Sequence, residues 1–163
     1  MIGSERTAFI LFGHSAGAQF AHRYLALTDA RRTSLVIAAN AGWYMLPRRD
    51  LPFPAGLGGL EVDNGAIVRF FERPLFLLLG DADIDEQAAG LPQIPEAVAQ
   101  GANRLARGQF YFRLCKQEAA RIGAEFGWRM IIAPGVGHED DQVSGPAAQL
   151  IVAHLAGSGT DRE

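Results

Sequence analysis

Cysteine occurs once in the 163 residues, so no disulfide can form within the chain and a packed core has to hold the fold. That residue, Cys115, lies in a helical pattern and reads as a buried structural thiol. An excess of one charge is missing too: 15 Lys and Arg stand against 18 Asp and Glu, a formal net charge of −3 with the signs interspersed. Without a basic stripe there is no electrostatic footprint for nucleic acid or an anionic membrane surface. No run approaches the ~18 apolar residues of a membrane span. Residues 1–6 lack the charged-then-apolar order of a signal peptide, so the expectation is a soluble protein, cytoplasmic by default, with the compartment left open. Repeats, low-complexity tracts and linkers are also absent, which leaves a single domain over residues 1–163 of ordinary composition, 48% apolar and 20% charged. A chain of this length buries about two-thirds of its unfolded surface, enough for a core without staples.

What is present is organised around Gly13-His14-Ser15-Ala16-Gly17, which follows the apolar run 7–12 and precedes a helical pattern beginning near Ala16. A G-x-S-x-G pentapeptide between a strand and a helix is a nucleophile elbow. The turn is so tight that its serine takes strained backbone angles and its neighbours must be small. Gly13, Ala16 and Gly17 meet that demand. The helix beginning beneath the serine aims free N–H groups and a positive dipole end at any anion formed there.

Along the rest of the chain, apolar runs alternate with amphipathic patterns. Phe20, Tyr24 and Leu27, flanked by Ala21 and Leu25, mark a helix over 16–27, and residues 34–39 form a second buried strand. From Trp43 to about Gly65 come Pro47, Pro52, Pro54, Gly56, Gly58 and Gly59, a long irregular excursion from the carboxyl end of a strand. Its Trp43, Tyr44, Met45, Leu46 and Phe53 either wall an apolar pocket or cover the core. A short helix over 66–72 leads to a third strand at 74–80, the acidic turn 81–86, and a polar loop with Pro92 and Pro95. A long helix comes next over 103–125 with the stripe Leu105, Gly108, Phe112, Cys115, Ala119 and Ile122. Residues 128–133 are the fourth strand, Gly135-Val136-Gly137-His138 turns out of it, and a last helix runs to about 155 with Ser144 as cap and Pro146 in its first turn. Four strands alternating with helices imply right-handed crossovers and a parallel sheet, an α/β fold.

Ser15 therefore follows strand one, an aspartate follows strand three and His138 follows strand four, all at one rim of the sheet. The chain order nucleophile, acid, histidine resembles that of the α/β-hydrolases, and residues 7–155 look like the C-terminal half of that fold, a parallel sheet of four strands with flanking helices. Residues 13–24 and 40–44 loosely resemble esterase and polyester-depolymerase members. The resemblance implies an esterase in which Ser15 attacks the ester carbonyl, His138 carries the proton and Asp83 orients the imidazole. Asp83 is chosen over Asp81 because the family's acid lies three residues beyond the glycine ending that strand, here Gly80, with Asp85 in reserve. The N–H of Ala16 would be one oxyanion donor, and His14, Trp43 and Tyr44 would bind substrate. His22 and His154 read as structural or exposed, and His14 has that reading beside its substrate role. A non-catalytic binding or assembly module on the same scaffold is the alternative function.

No metal or other cofactor is expected. Asp81-x-Asp83-x-Asp85 has the opening spacing of a calcium loop, but Glu86 stands where glycine is required and Pro92 where the closing glutamate belongs. Gly56-Leu57-Gly58-Gly59 follows no strand and is no phosphate cradle. Relative to the family, only six residues precede the elbow strand, so the first four strands and the second oxyanion donor are missing and residues 7–12 lie on an open edge. A fragment, a homodimer joined through that edge, or a separate polypeptide supplying the other half each account for this, and the homodimer is the expected partner.

Overall fold

The parallel pairing follows from apolar runs long enough for one strand and separated by enough chain for a helical crossover. The computed structural model describes residues 7–157. Its elements in order are β1 (Phe9–His14), α1 (Ala16–Leu27), β2 (Thr33–Ala39), α2 (Asn64–Glu72), β3 (Leu75–Gly80), α3 (Pro95–Val98), α4 (Arg104–Ile122), β4 (Arg129–Ala133) and α5 (Asp140–Gly157). The sheet order is β1-β2-β3-β4, every pair parallel. Register lines up the strand ends: His14 pairs with Ala39, Ala39 with Leu78, and Gly80 with Ala133. The elbow and the loops after β3 and β4 thus leave one edge together.

Helices cover both faces. Against one, α1, α2 and α4 bury Ala18, Ala21, Leu25, Phe71, Tyr111 and Cys115 with Val36 and Leu77 of the sheet. Against the other, α5 brings Val143 and Ala147 onto Leu35, Ile37 and Leu78. Each fully buried Leu or Ile contributes about 2 kcal/mol by removal of apolar surface from water. Two helix starts are capped by side chains, Asp63 accepting from the Ala66 N–H and Asn103 from the Ala106 N–H. Gly123, at φ 72°, ends α4 in the left-handed conformation.

Three expectations are corrected. The last helix begins at Asp140 and not at Ser144, because Asp140 and Asp141 suit the positive end of the helix dipole and Val143 is already buried. Ser144 is then no cap; its hydroxyl donates to the Asp140 carbonyl one turn back, and Pro146 sits in the second turn. The buried face of α4 is Arg104, Arg107, Gly108, Tyr111, Cys115 and Ala119, so Leu105 and Phe112 lie beside the core stripe rather than in it. The short helix α3 lies inside what reads as a polar loop, started by Pro95 at its first position.

Among the described residues β1 is an edge strand, with Phe9 40% and Phe12 37% exposed. The homodimer expected through that edge is a statement about two copies, read from the mass of the protein in solution. No described helix is long and apolar enough to cross a membrane.

Candidate active site

Ser15 stands between β1 and α1 with φ 53° and ψ −113°, a positive-φ conformation that few non-glycine residues adopt. Bonds on both sides hold it there. Its N–H donates to the Ala39 carbonyl at 2.9 Å, and its own carbonyl accepts from Ala18 and Gln19 at 3.1 and 3.2 Å. A Cβ at Gly13 would lie 2.2 Å from the Gly17 carbonyl oxygen, so the strand can approach the helix only through glycine. Gly17, expected to be small for the same reason, has open space where its Cβ would stand; it is its backbone that Gly13 packs against.

The Ser15 hydroxyl lies 3.0 Å from Nε2 of His138. The opposite ring nitrogen, Nδ1, lies 2.8 Å from Oδ2 of Asp83. Asp83 is buried and its ionised carboxylate can only accept, so Nδ1 carries the proton and Nε2 is left to accept from Ser15. The chain of hydrogen bonds therefore runs from hydroxyl to imidazole to carboxylate across three separate strand ends.

The loop that presents His138 is pinned from several sides. Asp81 accepts from the Gly135 N–H at 2.6 Å, and the Ala82 N–H donates to the Val136 carbonyl at 3.0 Å. The loop crosses so close to the end of β3 that a Cβ at Gly80 would stand 2.2 Å from the Val136 oxygen. Asn40 joins the two: its amide donates to the Gly137 carbonyl and its oxygen accepts from the Gly80 N–H, both at 2.9 Å. Asp81 thus braces the histidine loop, while Asp85 accepts from the Gln87 N–H at 2.8 Å.

Behind Asp83 lies Arg104, 1% exposed, with Nη1 3.4 Å from Oδ1 and Nη2 3.3 Å from the Ala89 carbonyl. Arg107, one turn on, donates to the carbonyls of Gly101, Gly42 and Pro92 at 2.7 to 2.9 Å and ties the loops after β2 and β3 to α4. The sequence reading missed Arg104, Arg107 and Asn40. Arginines at positions 104 and 107, three apart and in step with Tyr111 and Cys115, were the available signal for the first two.

Of the residues expected to bind substrate, His14 lies at the site. Its ring centroid is 4.7 Å from that of His138, and its Nδ1 is hydrogen-bonded to the Asp140 carboxylate at the start of α5. Trp43 is buried, with the Arg23 guanidinium 5.4 Å over its ring. Tyr44 is wholly buried and stacks on Tyr111 at 4.4 Å, so its surroundings are those of the core. Met45 and Leu46 are also buried, whereas Phe53 is exposed. His22 is buried as well and held by backbone partners; burial pushes its pKa down to about 3. Burial likewise raises the Cys115 thiol well above its ordinary value, leaving it inert. No cluster of metal-ligating side chains occurs among the described residues.

No family model matches the chain, and no curated protein sequence matches it. Solved structures do. A poly(aspartic acid) hydrolase from Sphingomonas sp. KT-1 is 38% identical with a TM-score of 0.88 over 91% of this chain and 56% of its own. A poly(3-hydroxybutyrate) depolymerase from Bordetella parapertussis is 39% identical with a TM-score of 0.80 over 85% of this chain and 46% of its own. The chain spans about half the length of these two proteins.

Proposed function

The chain belongs to the α/β-hydrolases, and from that premise we propose that it is a serine hydrolase cleaving carboxylic esters through an acyl-enzyme on Ser15. The observation that carries the reading is the unbroken relay from Ser15 through His138 to Asp83, at 3.0 and 2.8 Å, between residues 123 and 55 positions apart. A structural serine in a β-to-α turn has no need of a histidine whose other nitrogen is held by a buried carboxylate.

In the first half-reaction the Oγ of Ser15 adds to the ester carbonyl carbon while its proton passes to Nε2 of His138. The tetrahedral intermediate collapses, the bond to the alkoxy oxygen breaks, and His138 returns the proton to the departing alcohol. Water then repeats the sequence on the acyl-serine and releases the carboxylic acid, restoring the hydroxyl. Asp83 keeps the proton on Nδ1 and stabilises the transient imidazolium. The Ala16 N–H, at the positive end of α1, would be one donor to the developing oxyanion, and such a donor lowers the barrier by about 3–4 kcal/mol.

A fluorophosphonate probe tests this directly, because only an activated serine attacks it. The expected result is an adduct on Ser15, absent from Ser15→Ala, with turnover of p-nitrophenyl butyrate falling by about 10⁴-fold or more in that variant. Folded protein with no adduct at Ser15 would overturn the proposal in favour of a non-catalytic binding module on the same scaffold.

A further inference from the structure

The stretches that follow β3 and β4 at the carboxyl edge of the sheet carry charge of one sign. Asp81, Asp85 and Glu86 follow β3, Glu139 precedes α5 and Asp140 and Asp141 open it, and all six are exposed. Residues 15–22 and 40–47 contain no Asp, Glu, Lys or Arg, and residues 81–103 and 134–142 contain no Lys or Arg. Arg104, the first cation after that stretch, is buried against Asp83 and offers nothing to solvent. At the opposite edge the picture is mixed: Arg31 and Arg32 before β2, Arg73 before β3 and Arg129 at the start of β4 accompany Asp29 and Glu72. Parallel pairing turns this into a polarity of the sheet that a net charge of −3 conceals. At about 20 Å, the length of a six-residue strand, these arginines act on a charge at Ser15 more weakly than the acids of its own rim do.

The same rim offers apolar contact. Ile84, between Asp83 and Asp85, is 55% exposed, and Phe20, one turn beyond the elbow, is 63% exposed. Neither is used by the core.

We propose that the Ser15 site accepts esters whose acyl chain is uncharged and discriminates against substrates bearing carboxylates, polycarboxylates above all. The inference rests on the hydrolase reading and sharpens it. Of the substrate types named for the two solved relatives, the polyester fits this rim and poly(aspartic acid) does not. Hydrolysis of the acyl-serine creates a carboxylate at Ser15, and the surrounding acids favour its release into solvent.

Two p-nitrophenyl esters with acyl chains of matched length separate the ideas: the hexanoate, which is neutral, and the hemiadipate, which ends in a carboxylate too far from the ester to attack it readily. With the full chain at about 0.01 M salt, kcat/KM for the hemiadipate is expected to fall about tenfold below the hexanoate, as six unit charges on the order of 10 Å away would cause. Raising salt to about 0.5 M should close most of that gap by accelerating the hemiadipate alone. Combining Glu86→Gln, Glu139→Gln and Asp141→Asn should narrow the low-salt gap to about threefold. Equal rates for the two esters at low salt overturn the inference while leaving the hydrolase reading intact, and so does a gap that salt and the triple variant leave unchanged. Failure to turn over either ester, with no fluorophosphonate adduct on Ser15, removes the hydrolase reading and this inference with it.

Discussion

His22 and His138 have the same tautomer and the same number of partners, and the partners differ in kind. In each, Nδ1–H donates to an oxygen and Nε2 accepts: His22 from the Met45 N–H at 3.0 Å, His138 from the Ser15 hydroxyl at 3.0 Å. The Nδ1–H of His22 goes to the Ala18 carbonyl one helical turn back, whereas that of His138 goes to the Asp83 carboxylate. A proton arriving at Nε2 of His22 would face another N–H, inside the core, with no anion to balance it. In the proposed reaction a proton arriving at Nε2 of His138 comes from its own partner and is balanced by the carboxylate behind the ring. On that proposal, what separates a catalytic histidine from a core one is whether its partners can give up a proton and absorb a charge.

The contrast breaks most sharply under paired substitution. His138→Gln is expected to lower kcat/KM by about 10⁴-fold or more and to leave unfolding free energy within about 1 kcal/mol, since the ring is half-buried at a loop. His22→Gln should do the reverse, costing about 2–3 kcal/mol of stability because buried backbone groups lose their partner, with turnover by the folded fraction near wild type. Urea titration beside ester kinetics measures both. A folded His22 variant as inactive as the His138 variant would erase the distinction.

Arg104 belongs to both regions, since it is buried in the core and faces the carboxylate of the site. Arg104→Met leaves Asp83 with a buried, uncompensated charge, and about 3 kcal/mol of stability should be lost. If Arg104 also positions the acid, kcat should fall about tenfold with KM unchanged and Arg104→Lys should recover part of it. A purely structural arginine would lower stability alone.

The pH dependence of stability sharpens the comparison from the side of His22. Its folded pKa, about 3, lies below the ordinary value of 6.5 that holds in the unfolded chain, so the unfolded state binds more protons between those values. Its contribution is therefore complete above about pH 6.5 and is lost as pH falls, by at most about 1.4 kcal/mol per unit. Urea midpoints at pH 7, 5.5 and 4 should drop steadily in the wild type and less steeply in His22→Gln. Identical slopes would mean that His22 is not held neutral by the fold.

Much of this was legible in the chain and some was not. Continuous apolar runs ending in Gly13, Asn40, Gly80 and Pro134 mark the four strands, almost wholly buried at β2 and β3 and half-exposed at the outer two, and parallel winding brings the loops after them to one rim. That winding puts Ser15, His138 and the acids after β3 at one rim, while the choice of Asp83 over Asp81 and Asp85 rests on the resemblance to the α/β-hydrolases. The features that stayed hidden depend on partners distant in sequence. The α4 stripe is displaced because Arg104 and Arg107 reach carbonyls and a carboxylate of other loops, and an apolar-periodicity reading passes over buried arginines. Trp43 and Tyr44 look like pocket walls until Arg23 and Tyr111, on two different helices, are seen to cover them. Asn40 reads as a strand end, and its bridge between Gly80 and Gly137 has no local signature.

The smallest expected effect concerns the acid that composition cannot tell from Asp83. Asp85 lies two residues on, is exposed, and commits its Oδ1 to the Gln87 N–H, a bond that an asparagine oxygen makes equally well. Asp85→Asn should therefore change stability by less than about 0.5 kcal/mol and kcat on the neutral ester by less than about twofold. Asp83→Asn presents an amide to Nδ1 and disturbs the tautomer, so a loss of about 10³- to 10⁴-fold is expected there. The ratio of the two variants, read on p-nitrophenyl butyrate, weighs a buried carboxylate 2.8 Å from an imidazole against a solvated one of the same type two positions along. A loss above about tenfold in Asp85→Asn, or a mild one in Asp83→Asn, would move the acid to Asp85 and require the turn after β3 to rearrange in the working enzyme.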